Sequence, residues 1–518
     1  MRFRLVRSLV ATGLSMCLAV SSILDDTWAR FRAHARAARL RWSRVGACWR
    51  LVSLLAAGCG SGCDGERIRP PGTPHIPVVV PGDAASSGSG SDDGDPSLEI
   101  GSGFLDAPPG ALDHLYAALD AAETAAPSGR VLLVFFGDSH TAGDSMTSRV
   151  RVTWQQRFGD AGRGLVAAGR PTARHYYQRD VRYGASGVWK SSVGGVRDPE
   201  PYGIAGLRVY GDKKGAQLWV ESCAECRAGT RVAQFEILYQ ASPSSGSLRY
   251  RIDDGSWQLL ATKTAAIEPP HPARHVIAVP DGPHRLTLEH QGGGVVDLYG
   301  VALERHQPGV IVDSLGVVGR RLGSLRSWDW SIIGEQLATR DPRLVVLQYG
   351  TNEADDRDID LVAIARYYDD TILRIRAAAP TASILILGPP DMSVREAGKA
   401  CDKPKRHASP IDAGVPPECE WRTPAVLRDI VSMQHAAAVR NKVAFFDTLG
   451  AMGGTDRMHE MVTADPKQAY KDHVHFTDLG YQRWADELTG ALFGSYARWR
   501  HARNLPPSVP VVPAKPAR

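Results

Sequence analysis

Val131-Leu132-Leu133-Val134-Phe135-Phe136-Gly137-Asp138-Ser139-His140-Thr141-Ala142-Gly143-Asp144 is the stretch from which the fold of this chain can be read. Its first six residues are apolar without a break. A run that offers no polar face to water is predicted to be a strand buried on both sides. Similar runs recur at Val310-Ile311-Val312, Leu344-Val345-Val346-Leu347, Ile384-Leu385-Ile386-Leu387 and Val443-Ala444-Phe445-Phe446. Helical patterns lie at 111–123, 328–339, 361–379 and 424–440. Strands alternating with helices of this length predict an α/β class, a parallel sheet covered on both faces.

The stretch 204–305 reads differently. Leu207–Tyr210, Gln217–Val220, Gln234–Tyr239, Leu248–Ile252, His275–Val279, Arg285–Leu288 and Val295–Tyr299 are short, several alternate apolar with polar residues, and Gly, Pro or Asp turns separate them. No helix intervenes. This predicts an all-β sandwich inserted in the α/β domain, and about 100 residues suffice for its own core. A long antiparallel excursion of the main sheet is the competing reading. The expected organisation is a targeting region 1–59, a linker 60–103, an α/β domain in two parts at 104–203 and 306–500 around the insert at 204–305, and a tail 501–518.

The linker assignment rests on composition: residues 60–103 hold no Phe, Trp or Tyr and are dense in Gly, Pro, Ser and Asp, so they bury too little to offset ordering entropy. The tail, with PPSVPVVPAKP, is read the same way. The net charge of +5 belongs to the N-terminus: residues 1–58 hold ten arginines, no lysine and two aspartates, while the rest carries 51 basic and 54 acidic side chains. A nucleic-acid-binding body is thus not expected. Two apolar runs, Leu5–Leu24 broken by Arg7 and Leu51–Gly58 before Cys59, read as an export signal, with lipidation at Cys59 expected from Ala-Ala-Gly-Cys. An N-terminal membrane anchor is the other reading of the first run. The protein is expected outside the cytoplasm, in the periplasm or at the outer membrane, and touching a membrane only through that lipid. Cys401 and Cys419 bracket a Pro-rich segment that a disulfide would staple; Cys223-Ala224-Glu225-Cys226 reads as a local disulfide or two plain thiols, since zinc would need two further ligands.

Three segments carry chemistry. Ser139 follows a parallel-type strand, where open α/β sheets place their sites, and is the candidate nucleophile. Asp472-His473-Val474-His475 supplies a base: a carboxylate three residues before an imidazole can turn back to its Nδ1–H, leaving the other nitrogen for Ser139 Oγ. His475 is the base and Asp472 its partner, with His473 as rival. Gly350-Thr351-Asn352-Glu353 follows the strand at Leu344, and the Asn352 amide suits an oxyanion. Tyr183-Gly184-Ala185-Ser186-Gly187 is a candidate source of a further backbone N–H. Each segment alone also reads as an ordinary turn or helix cap.

Together GDSHTAGD, the Gly-rich ASG, GTNE and DHVHF resemble, in order, the four motif blocks of the SGNH hydrolases, also called GDSL-like esterases. The resemblance implies a flavodoxin-like three-layer fold, a Ser139–His475–Asp472 triad, and an oxyanion hole of the Ser139 N–H, the Gly187 N–H and the Asn352 side chain, with Gly184 competing for the glycine's place. His140 stands where Leu is commoner and Glu353 where Asp is usual. An SGNH domain carrying an inserted, jelly-roll-like and carbohydrate-binding-like β-sandwich is similar to bacterial peptidoglycan O-acetylesterases. That similarity implies removal of O-acetyl groups from a cell-wall glycan without metal or organic cofactor. It leaves three alternatives: a polysaccharide O-acetyltransferase, a general carboxylesterase or lipase, and a non-catalytic glycan-binding protein. Trp219, Trp257, Tyr239 and Tyr250 are candidates for stacking on sugar rings, or for the insert's core.

Overall fold

A computed structural model describes residues 102–126, 129–169, 177–195, 201–356, 358–395 and 421–506. The export signal, Cys59, the linker up to residue 101, the Cys401–Cys419 pairing and the tail beyond residue 506 lie outside the described residues. Among the described residues no helix is long and apolar enough to cross a membrane.

The apolar runs form one sheet. Its strands are β1 (Leu105–Asp106), β2 (Arg130–Gly137), β14 (Gly309–Gly316), β15 (Leu344–Gln348), β16 (Ser383–Leu387) and β19 (Ala444–Phe446), ordered β1-β19-β16-β15-β2-β14. All neighbours are parallel except the short β1, which runs antiparallel to β19. Counting only the parallel strands in chain order, the arrangement is 2-1-3-4-5, the order of flavodoxin-like sheets, whose sites lie beyond the strands' carboxyl ends.

The alternation of side chains along each strand makes three layers. Leu132, Val134, Phe136, Val345, Leu347, Ile384 and Ile386 face α4 (Trp330–Arg340), α5 (Leu361–Ala378) and α6 (Ala425–Asn441). Val131, Leu133, Phe135, Leu344, Val346, Leu385 and Leu387 face α1 (Asp113–Glu123), α3 (Ser145–Phe158) and α9 (Asp478–His501). Both faces are therefore dry, which is why the strand sequences show no polar alternation. Short helices α2 (Ser139–Ala142), α7 (Thr448–Ala451) and α8 (Met458–Thr463) edge the sheet.

The β-rich part begins earlier than the expected residue 204. Its strands are β3 (Gly162–Val166), β4 (Val181–Ser186), β5 (Lys190–Val193), β6 (Leu207–Gly211), β7 (Gln217–Ser222), β8 (Val232–Ala241), β9 (Ser247–Ile252), β10 (Gln258–Leu260), β11 (His271–Gly282), β12 (Arg285–Gly292) and β13 (Val296–Glu304). They form two antiparallel sheets, β10-β9-β12-β7-β4 and β11-β8-β13-β6-β5, with β3 also on β13. Pairing of β4 with β7 and of β5 with β6 draws 181–193 into the sandwich. The expected boundary is corrected accordingly. A separate two-stranded antiparallel sheet pairs β17 (Val394–Arg395) with β18 (Trp421–Arg422).

Cys223 and Cys226 are joined by a disulfide. With Glu225 they are the one group of three metal-type donors among the described residues, and Glu225 is itself paired with Arg182 at 2.6 Å.

Candidate active site

β2 delivers Ser139. Gly137 ends the strand where a Cβ would collide with Thr141, and Gly316 ends β14 where a Cβ would strike the Ala142 backbone, so the one-turn α2 sits directly on two strand ends. The Asp138 side chain caps α2 by accepting the His140 N–H at 2.9 Å. Thr141 Oγ1 donates to Gln348 Oε1 at 2.9 Å and Ser314 Oγ to the Thr141 carbonyl at 2.8 Å, tying α2 to β15 and β14. Burial pushes the Asp138 carboxyl up to about 8, opposed by the His140 N–H and reinforced by nearby Glu353.

The loop before α9 delivers His475, the candidate base. Tyr470 N–H donates to the His475 carbonyl at 2.8 Å and Thr477 N–H to the Gln468 carbonyl at 2.9 Å, closing a tight return. Asp472 Oδ1 accepts the N–H groups of Val474 and His475 at 3.1 and 3.0 Å, while Oδ2 takes His475 Nδ1 at 2.8 Å. His475 Nε2 lies 2.8 Å from Ser139 Oγ. Since an ionised carboxylate only accepts, the Nδ1–H faces Asp472 and the lone pair of Nε2 faces the serine hydroxyl. Partial burial raises the Asp472 carboxyl, but the His475 and Val474 N–H groups and the imidazole outweigh it and hold it below the usual range.

His473 is turned away, with a left-handed φ of 58°. Its ring stacks on Trp421 with centroids 3.4 Å apart. Its Nδ1–H donates to the Lys471 carbonyl at 3.0 Å, so Nε2 accepts from His459 Nδ1 at 2.9 Å. Of the two imidazoles, His475 is the one beside Ser139.

Asn352 leaves the end of β15. Because Gln348 pairs with Gly137, Asn352 and Ser139 emerge from the same end of adjacent strands. One Asn352 Nδ2 hydrogen is used on the Arg320 carbonyl at 3.1 Å. Glu353 is buried and accepts the N–H groups of Gly350 at 3.0 Å and Leu322 at 2.9 Å, so it staples this turn to the loop after β14.

Gly187 is not brought to this place. It follows β4 at a φ of 76°, and a Cβ there would meet Ala216 of the sandwich. Gly184 lies under the Trp219 ring. Strand pairing with β7 takes both glycines into the insert, and only Tyr183 of that segment faces the serine's cavity. The loop that does pass Ser139 is Gly316-Val317-Val318-Gly319. Val317 N–H donates to the Gly137 carbonyl at 2.9 Å, Val318 lines the cavity, and Gly319 has a φ of 71°. The available signal was a pair of glycines three apart, Gly316 and Gly319, shortly after the apolar run Val310-Ile311-Val312.

The cavity has a volume of about 760 Å³ and is walled by Ser139, His475, Tyr177, Tyr183, Val318 and Tyr470, among others. In the sandwich, Tyr239 and Tyr250 are buried. Trp219 and Trp257 are partly exposed, Trp219 under Arg285 at 4.4 Å and Trp257 under Arg249 at 4.4 Å.

His140 sits directly behind the relay, its ring 5.3 Å from that of His475 and packed on Trp484 and Phe476. Burial pushes its pKa down to about 3, and the charge of His475 acts in the same direction. A folded state that refuses a proton the unfolded chain accepts near 6.5 is stable above that pH and weakens as pH falls toward 3. The side chain is expected to cost about 2 kcal/mol between pH 7 and pH 5. Urea midpoints of wild type and His140→Leu at the two pH values measure it. The gap is expected to shrink by that amount in the variant, and an equal gap in both would contradict a neutral buried imidazole.

Residues 283–483 match the GDSL-like lipase/acylhydrolase family, a span that takes in the loop after β14, Asn352, Asp472 and His475 and leaves Ser139 outside. A GDSL-type hydrolase domain is therefore present. A solved peptidoglycan O-acetylesterase superposes with a TM-score of 0.60 at 22% identity, covering 76% of this chain and 99% of that one, which is a likeness of fold. A family two carbohydrate esterase from Clostridium thermocellum, in complex with cellohexaose, reaches a TM-score of only 0.24 at 12% identity over 61% of this chain and 99% of its own. No curated protein matches.

Proposed function

We propose that this protein is an extracytoplasmic serine esterase that removes O-acetyl groups from a cell-wall glycan, with peptidoglycan as the substrate. The observation that carries the reading is the continuous relay Asp472–His475–Ser139, with both contacts at 2.8 Å and the serine opening onto a cavity. Ser139 Oγ attacks the acetyl carbonyl as His475 Nε2 takes its proton. The carbonyl oxygen becomes an oxyanion. His475 then returns the proton to the departing sugar oxygen, leaving an acetyl-serine. Water, deprotonated by His475, releases acetate and restores the serine. Asp472 stabilises the imidazolium in both halves.

The oxyanion is held by the Ser139 N–H and the free Asn352 Nδ2 hydrogen. The third donor in this reading is an N–H of the Val318–Gly319 turn rather than Gly187. Each such donor contributes about 3 kcal/mol to the transition state. The cell-wall substrate rests on the fold likeness and on the export reading of residues 1–59, with Cys59 as lipid anchor. The jelly-roll-like character of the sandwich belongs to the same reading.

The test is acetate release by the purified protein from O-acetylated peptidoglycan, with acetylated xylan in parallel. Faster release from peptidoglycan is the expected result. Equal release from both would make it a general acetylesterase, and none from either, by folded protein, would overturn the esterase assignment.

A further inference from the structure

A second, smaller recess of about 210 Å³ adjoins the catalytic cavity, and Ser145, Arg179 and Asp478 line both. Arg149 and Arg227 complete its charged wall. Two of the three guanidiniums are already balanced: Arg149 pairs with Asp486 at 2.7 Å and Arg179 with Asp478 at 2.8 Å. Arg227 is exposed and has no carboxylate partner among the described residues. The nearest acid in sequence, Glu225, is taken by Arg182 at 2.6 Å. One positive charge is thus left over, facing a recess that opens on the reacting serine's cavity.

The arginines are held in place by buried structure. Arg179 N–H donates to Asp144 Oδ2 at 2.8 Å and its carbonyl accepts Arg163 Nε at 2.8 Å, so the chain beneath the side chain is pinned. Arg227 follows directly on the Cys223–Cys226 disulfide. That turn is closed by Cys223 N–H on the Gly229 carbonyl at 2.9 Å, and Gly229 packs so closely on Asp180 that no Cβ fits there. Asp180 in turn is bound by Ser148 and the buried Arg151. The insert therefore reaches over the edge of the catalytic cavity and presents a cation there. Guanidinium groups match carboxylates in shape and charge, and a single uncompensated charge suits a monoanion.

We propose that this recess binds a carboxylate carried by the acetylated glycan, on the same sugar as the ester or on a neighbouring one, and so selects anionic over neutral acetyl esters. The inference rests on the esterase reading and deepens it. Ser145 and Asp478, shared by the two spaces, set the spacing between the carboxylate and the ester.

The test uses soluble O-acetylated peptidoglycan fragments, either carboxylated or with their carboxyls converted to amides, and compares wild type with Arg227→Gln and Arg227→Lys. Amidation is expected to raise the wild-type KM about 5- to 10-fold, with kcat changing far less. Arg227→Gln is expected to raise KM for the carboxylated fragment by about the same factor and to add nothing on the amidated one, and Arg227→Lys to recover part of the loss. An Arg227→Gln effect equal on both substrates, or absent on both, would overturn the proposal. So would a KM that amidation leaves unchanged while Arg227→Gln raises it, since the recess would then hold another group. Binding of de-O-acetylated fragments to Ser139→Ala protein, followed by calorimetry, separates the two failures. A missing turnover tells against the esterase reading. Equal binding of carboxylated and amidated fragments tells against the anion recess.

Discussion

Replacing Ser139 with alanine is expected to lower kcat for acetyl-ester hydrolysis by roughly 10⁴- to 10⁶-fold, the usual cost of removing a nucleophile that acts as a unit with its base. The structure supplies no substitute. Of the hydroxyls on the cavity wall beside α2, Ser145 Oγ is committed to Asp478 at 2.9 Å and Tyr481 OH to His140 Nδ1 at 3.0 Å. His473, the neighbouring imidazole, is fixed on Lys471, His459 and Trp421. The rate that survives should come from the oxyanion donors and from substrate binding. Stability should barely move, because Ser139 is only part-buried and water can take its place against His475 Nε2. Turnover of a chromogenic acetyl ester and a melting curve on the same preparation test both statements. A loss below about 100-fold in folded protein would exclude Ser139 as the covalent nucleophile.

Replacing Arg340 with alanine is expected to remove about 3–5 kcal/mol of folding stability, the cost of breaking a buried ion pair from one side. Its side chain is 1% exposed and bonds Asp313 Oδ2 at 2.6 Å and Glu304 Oε1 at 3.0 Å, with Glu236 Oε2 at 3.8 Å. Arg130 completes the cluster, 2.9 Å from Glu304. Asp313 belongs to β14, Arg340 to α4, Glu304 to β13 and Glu236 to β8, so one guanidinium ties the central sheet to the sandwich. Burial alone would raise the Glu304 carboxyl, but Arg340 and Arg130 hold it below the usual range. Without Arg340, Glu304 would be buried with too little positive charge, and its folded pKa would rise. A raised carboxyl pKa gives stability that is present at low pH and lost as pH climbs. The gap between wild type and Arg340→Ala in urea should therefore be larger at pH 7.5 than at pH 5. A gap that grows on acidification would contradict this account.

The cluster shows where the sequence is silent. Arg340 lies at the end of a helix whose apolar pattern is plain, and nothing near it in the chain announces a charge with less than 2% exposure. Its partners come from residues 236, 304 and 313, which only folding assembles. The same limit governs which loop lies beside Ser139. Gly187 sits in a segment that resembles a motif loop, whereas the Gly316–Gly319 turn is beside the serine because β14 happens to be the neighbour of β2. The arginine recess is a further case: Arg149, Arg179, Arg227 and Asp478 come from four separate stretches of chain.

What the sequence determined by itself is the set of features whose physics is local. Unbroken apolar runs identify strands buried on both faces, and the central strands and the four helices expected from periodicity lie within a few residues of the observed limits, whereas α3 and α9 were not anticipated. Asp472 and His475 are three residues apart, so their contact needs only one turn of backbone. Ser139 is marked because it follows such a run directly. What the tertiary structure alone decided is which distant segments become neighbours: the joining of β4 to β7, the loop that passes the serine, and the charges beneath the sandwich. Hydrophobic period reports how a residue is buried and not against what, because burial depends on a segment's own pattern while pairing depends on partners tens to hundreds of residues away.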